Sequence, residues 1–190
     1  MSQFLSRHGA AARLSAVVAA AGGLLAGAAV LAPSAAAETD PIPVPPHRGV
    51  AVRLTSSPDL VLDVAGSTTD NRAGVNVQHY TGANDQLWLA VPKGGSQFEL
   101  RNVHSRKCLD VRGDSSEANA ELIQYDCHNG RNQLWRAVAS GKGYQLISGA
   151  GLCVDVFDEK IHEPAAGEKV VQFTCSNPVG NDQRWSFDSR

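Results

Sequence analysis

Three copies of one two-part pattern constrain this chain more than any other feature. Gln86-Leu87-Trp88, Gln133-Leu134-Trp135 and Gln183-Arg184-Trp185 share a Gln-x-Trp signature and hold all three tryptophans, at spacings of 47 and 50 residues. Upstream of each lies an apolar-Asp-Val triplet: Leu62-Asp63-Val64, Leu109-Asp110-Val111 and Val154-Asp155-Val156. The separation from that Asp to its Trp is 25, 25 and 30 residues. Self-similarity of this kind means equivalent structural units, none of which buries its apolar face alone.

The segments between the signatures are short and alternating or apolar, as in Val50–Leu54, Gln97–Leu100, Tyr144–Ile147 and Val170–Phe173. They are broken by Gly, Asn, Asp and Ser. No amphipathic helical stretch of useful length interrupts them, so the expected class is all-β. A propeller needs typically four or more blades, and only three units are present. Three units of about four strands each close instead as a small barrel with a triangular cap, a β-trefoil, which leaves few open strand edges. The repeats are expected over about 50–90, 97–136 and 144–188, within a domain spanning 50–188.

The first residues read differently. Arg7, His8 and Arg13 precede an uncharged Ala/Gly/Val/Leu-rich run from Leu14 to Leu31, then Pro33 and the small residues Ala35-Ala36-Ala37. That order predicts a secretory signal peptide over 1–37, removed after Ala37, rather than a membrane anchor: the run only just reaches spanning length and no stop-transfer cluster follows. Residues 38–49 (ETDPIPVPPHRG) carry Pro41, Pro43, Pro45 and Pro46, which forbid helix and favour an extended linker. Cleavage removes two of the 17 basic residues and none of the 19 acidic ones. A mildly acidic domain of this kind lacks the basic patch a nucleic acid or anionic membrane requires, and no membrane insertion is expected after cleavage. All four cysteines lie in the exported part. An even count there reads as disulfides, and spacing alone leaves three pairings open.

The paired motifs resemble the ricin B-chain type lectin domain (carbohydrate-binding module family 13), over about Val50 to Asp188. The middle repeat carries the pattern most fully: KCLDVRGDSSEANAELIQYDCHNGRNQLW, Lys107 to Trp135. The third runs LCVDVFDEKIHEPAAGEKVVQFTCSNPVGNDQRW, Leu152 to Trp185. In both, one cysteine stands two before the Asp and the other two after an aromatic residue. With the repeats so aligned, Cys108 pairs with Cys127 and Cys153 with Cys175. Each bridge would close a loop of about 20 residues, worth roughly 3 kcal/mol in the chain-entropy account. The same alignment places Val61 and Gly82 at those positions in the first repeat.

The resemblance implies a non-catalytic, secreted domain that binds glycans or polysaccharides of galactose or xylose type, without a cofactor or metal. Such modules are commonly joined to glycoside hydrolases; none is read in this chain. A sugar offers a C–H face suited to an aromatic ring and a rim of hydroxyls that needs fixed acceptors and donors. In the middle repeat the family's positions fall on Asp110, Ile123, Tyr125, Asn132 and Gln133: carboxylate acceptor, pocket lining, stacking ring, amide, and support for the Asp. In the first repeat they fall on Asp63, Gln78, Tyr80, Asp85 and Gln86, with Asn84 as a substitute amide; the Tyr-to-Trp distance there is two residues shorter. In the third they fall on Asp155, Val171, Phe173, Asp182 and Gln183, with Asn181 adjacent and a longer loop containing Asp158, Glu159 and Pro164. The expected order of competence is middle, first, third.

Each residue has a plainer reading. The tryptophans are core in any trefoil, their glutamines satisfy buried backbone groups, and the aspartates cap turns. His47, His79, His104, His128 and His162 show no metal-ligand spacing and read as surface loop residues. The adjacent Asp158 and Glu159 would point apart on a strand, which argues against a paired-carboxylate hydrolase. The competing function is a protein-binding trefoil such as a protease inhibitor or interaction scaffold, whose specificity would sit in one exposed loop.

Overall fold

The computed structural model describes residues 48–157, 163–176, 180 and 182–188. The expected signal peptide, all of the proline-rich linker before Arg48, and His47, Asp158, Glu159, His162 and Asn181 lie outside the described residues. Unit by unit, four strands recur: β1 (Ala51–Leu54), β2 (Leu60–Val64), β3 (Val75–His79) and β4 (Trp88–Gly94); β5 (Gln97–Asn102), β6 (Cys108–Val111), β7 (Ala120–Tyr125) and β8 (Trp135–Ser140); β9 (Gly143–Ser148), β10 (Cys153–Val156), β11 (Val170–Phe173) and β12 (Trp185–Asp188).

Six of these strands close a ring. The antiparallel pairs β4–β5, β8–β9 and β12–β1 join consecutive repeats. Within each repeat the ring is completed at a tryptophan, by Val50 against Trp88, Phe98 against Trp135 and Tyr144 against Trp185. The other six strands form three hairpins, β2–β3, β6–β7 and β10–β11. These meet one another through bridges of Gly74 to Ile123, Glu121 to Val171 and Asn76 to Lys169. The fold is a β-trefoil.

The Gln-x-Trp signature earns its recurrence in the core. Trp88, Trp135 and Trp185 are fully buried. Each indole Nε1 donates to the carbonyl just before the repeat's Asp: Leu62 at 3.1 Å, Leu109 at 3.2 Å and Val154 at 3.1 Å. A large apolar side chain thus enters the interior without leaving its one polar atom unpaired. Val52, Leu54, Leu62, Leu100, Leu109, Leu122 and Leu146 pack around them.

Disulfides Cys108–Cys127 and Cys153–Cys175 tie the hairpins of the second and third repeats. The first repeat corrects the expected alignment. Cys108 lies opposite Tyr125 and Cys153 opposite Phe173, whereas Val61 lies opposite Gln78. The residue matching Cys127 is therefore Tyr80, not Gly82. The Tyr80 ring instead lies under the Arg53 guanidinium, 4.1 Å from its centroid, a cation–π contact that fastens the unbridged hairpin.

Two buried glutamines sew repeats together. Gln124 donates to the carbonyls of Thr68 and Asp70, each at 2.9 Å, and accepts from Ser105 Oγ at 2.6 Å. Gln172 donates to Ser115 and Glu117, again at 2.9 Å, and accepts from Ser148 Oγ. Register puts Val77 at this place in the first repeat, opposite Leu62. Gln124→Val removes one acceptor and the donors to two carbonyls, so it is expected to lower unfolding free energy by about 2–3 kcal/mol, measured by denaturant titration.

Candidate functional site

In the first two repeats the Gln of the signature closes a single 3-10 turn, Asn84–Gln86 or Arg131–Gln133, one residue short of the buried tryptophan. In the middle repeat, Gln133 Nε2 donates to Asp110 Oδ2 at 2.8 Å and to the Asp126 carbonyl at 3.0 Å, while its Oε1 accepts from the His128 N–H at 2.9 Å. Gln86 does the same with Asp63 and the backbone of His79 and Thr81. Gln183 does so with Asp155 and the backbone of Thr174 and Ser176. One amide thereby locks a carboxylate to a strand end and to the loop beyond it.

Asp110 lies on β6, opposite Ile123, and is only 2% exposed. Its Oδ2 also receives Asn132 Nδ2 at 2.9 Å, with His128 Nε2 at 3.4 Å. The His128 Nδ1 accepts from the Gly130 N–H at 3.1 Å, which places the ring proton on Nε2, facing the carboxylate. Asp110 Oδ1 has no partner among the described residues. Tyr125 is half-buried at the end of β7, with the His128 ring edge-on to it at 6.1 Å. Together with Arg72, Arg112, Gly113, Asp114 and Gly130 these residues line an open depression of about 620 Å³, within the size range of small-molecule sites. Gly130 is required by crowding, since a Cβ there would stand 2.5 Å from His128 Cε1 and 2.6 Å from Asn132 Oδ1.

The first repeat is built otherwise. Asp63 accepts from Gln86 at 3.0 Å, and Asn76, its cross-strand neighbour, places its amide nitrogen 3.1 Å from the other oxygen, Oδ1, when oriented to donate. Both carboxylate oxygens are thus held by protein. Gln78, not Tyr80, occupies the position of Tyr125, and Tyr80 is engaged with Arg53. Asp85 accepts a close hydrogen bond from Ser67. Asn84 is exposed and lines a separate hollow with Ser67, Ala83, Asp85 and His104. In the third repeat, Asp155, Val171, Phe173 and Asp182 do come together with Asn119 around a depression of about 110 Å³, and Phe173 is 39% exposed.

His128 is an exposed loop residue, as expected, and its ring also faces Asp110. Repeat comparison could not find it, because its counterparts, the residues whose N–H meets the signature Gln, are Thr81 and Ser176. Glu99 lies beside Cys108 and Cys127 at metal-ligand range, but those sulfurs are bonded to each other and offer no thiolate.

Burial pushes the Asp110 carboxyl above its ordinary 3.8, against the hydrogen bonds from Gln133 and Asn132 and the nearby His128, which lower it. Burial likewise raises Asp63, with Asp85 adding to it. Lys107 and Asn71 hold exposed Asp126 below that value. Because the folded Asp110 binds its proton more tightly than the unfolded chain does, this group costs stability at neutral pH, a cost relieved as pH falls through its folded pKa. A carboxyl-carbon NMR titration is expected to show Asp110 above 3.8 and Asp126 below it, with Gln133→Ala moving Asp110 higher still.

Comparison with known proteins agrees with this architecture. The family described as ricin-type beta-trefoil lectin domain matches residues 96–190, and a related one, ricin-type beta-trefoil lectin domain-like, matches 47–125. The designed 3-fold symmetric protein ThreeFoil is similar at 32% identity over 73% of this chain and 96% of that one, with a TM-score of 0.66. An exo-beta-1,3-galactanase from Clostridium thermocellum is 29% identical over 77% of this chain but 31% of its own, TM-score 0.69. The Rhizoctonia solani agglutinin shares the fold at 18% identity, covering 75% of this chain and 96% of that one, TM-score 0.64. With its threefold Gln–Asp fastening and its matched sequence, the chain belongs to the ricin-type β-trefoil lectin domain family, a carbohydrate-binding and generally non-catalytic one.

Proposed function

We propose that this protein is an exported, non-catalytic lectin that holds a neutral sugar of galactose or xylose type in the middle depression. The observation that carries the reading is the open state of Asp110: one oxygen is fixed by Gln133 and Asn132, and the other has no partner among the described residues. Two adjacent hydroxyls of a pyranose would donate to that carboxylate. The C–H face of the ring would lie on Tyr125, and Asn132 Oδ1 would accept from a hydroxyl, since its Nδ2 is committed to Asp110. His128 Nε2–H orients the same carboxylate. Buried donors and acceptors aimed at hydroxyls discriminate strongly against ligands that lack them.

The third depression, with Phe173 and Asp155, is the weaker second candidate. The first repeat ranks last, because its carboxylate is satisfied internally and its ring is engaged elsewhere. This reverses the order expected for those two repeats from sequence. Single shallow sites bind on the order of 0.1–1 mM, and avidity for a polymer would need at least two of them. Two disulfides suit the oxidising environment an exported protein meets.

On a glycan array and by NMR titration, Asp110→Ala is expected to abolish binding with the fold intact by circular dichroism. Tyr125→Ala is expected to weaken binding about tenfold, consistent with an aromatic contact of roughly 0.5–1.5 kcal/mol beyond area burial, and Asp63→Ala to leave it unchanged. Binding should also fall on acidification at higher pH than an ordinary carboxylate would give, because protonated Asp110 loses an acceptor. Protease inhibition that survives Asp110→Ala, with no glycan retained on the array, would favour the protein-binding reading instead.

A further inference from the structure

One position recurs in all three repeats, and each copy is hydrogen-bonded to the hairpin of another repeat. Arg72 N–H donates to the Gln124 carbonyl, Asn119 N–H to Gln172, and Gly167 N–H to Val77. All three residues sit in the left-handed region, with φ of 70°, 66° and 93°. Glycine and asparagine are what such a backbone favours, and the third and second repeats use them. Arginine is not favoured there, so its presence in the first repeat answers no demand of the turn.

The consequence lies at the middle site. Arg72 and Asn119 line the depressions of the middle and third repeats respectively. The other charges around the middle depression are already matched: Arg112 to Glu121 at 3.1 Å, and Arg131 to Asp114 at 3.0 Å. Asp110 is surrounded by three donors. The Arg72 guanidinium has no partner among the described residues, while its backbone is anchored on both sides, by Gln124 and by Arg112 Nη2 on its carbonyl. An anchored loop thus carries one uncommitted planar cation to the rim of a hollow whose floor binds hydroxyls.

We propose that Arg72 makes the middle site prefer an acidic glycan, one in which the sugar on Asp110 is joined to a uronic acid whose carboxylate meets the guanidinium. The fork of an arginine matches a carboxylate bidentately, and a lysine at the same place would not. The proposal rests on the glycan-binding reading above and specifies its substrate class. The third site, with Asn119 at the same position, lacks that preference.

The test is an NMR titration of the whole protein at neutral pH with two probes, lactose and a glucuronyl-galactose disaccharide. An exposed ion pair is worth roughly a two- to fivefold difference, so the wild type should bind the acidic probe by that factor more tightly. The ratio should shrink towards one in added salt and in Arg72→Gln, with Arg72→Lys between. Equal affinity for the two probes, or a preference that persists in Arg72→Gln, would overturn the proposal while leaving the lectin reading in place. If neither probe binds wild type, this proposal falls and the lectin reading loses its galactose form.

Discussion

A glutamine and a tryptophan two residues apart fasten each repeat to its own Asp-bearing strand. The indole takes the carbonyl that precedes the Asp, and the amide takes the Asp carboxylate. Because the tryptophan is fully buried, moving the carboxylate would mean moving the core. A carboxylate held this way has little rotamer freedom left to lose, which lowers the ordering cost of any contact made to it. Fold and site therefore share one set of hydrogen bonds.

What distinguishes the three sites is what that shared set leaves undecided. Opposite the Asp stand Asn76, Ile123 and Val171 in turn. An amide there satisfies the carboxylate from within, whereas with Ile123 there the Asp110 Oδ1 keeps no partner among the described residues. A second variable is the residue at or next to the end of the following strand, where Gln78, Tyr125 and Phe173 correspond. The third is the residue delivered from the neighbouring repeat. Among the described residues, an open carboxylate, a tyrosine ring and an amide coincide in the middle repeat, around a hollow of about 620 Å³, against about 110 Å³ in the third.

Much of the middle site was legible in sequence, since Asp110, Tyr125, Asn132 and Gln133 stand at spacings set by strands and one tight turn. The first repeat was misread for an instructive reason. Tyr80 was matched to Tyr125 by residue type, although Gln78 stands ten residues before its tryptophan, as Tyr125 does. The glutamine bonds to the His79 and Thr81 backbone confirm the spacing over the chemistry. The shorter Tyr-to-Trp distance was the visible warning. His128 offered no such clue, being a histidine where the other repeats have threonine and serine.

By itself the sequence determined the number of units, their all-β character, the buried tryptophans and the acceptor–amide pairing inside each unit. Those features are local and periodic: strand alternation, turn chemistry and a fixed interval to the next tryptophan impose them. Only the tertiary structure decided which carboxylate stays open, that Tyr80 stacks under Arg53, and that Arg72 from one repeat stands at the site of the next. These contacts join residues far apart in the chain and arise from ring closure, in which each repeat's loop is pressed against its neighbour's strand by packing that no single repeat encodes.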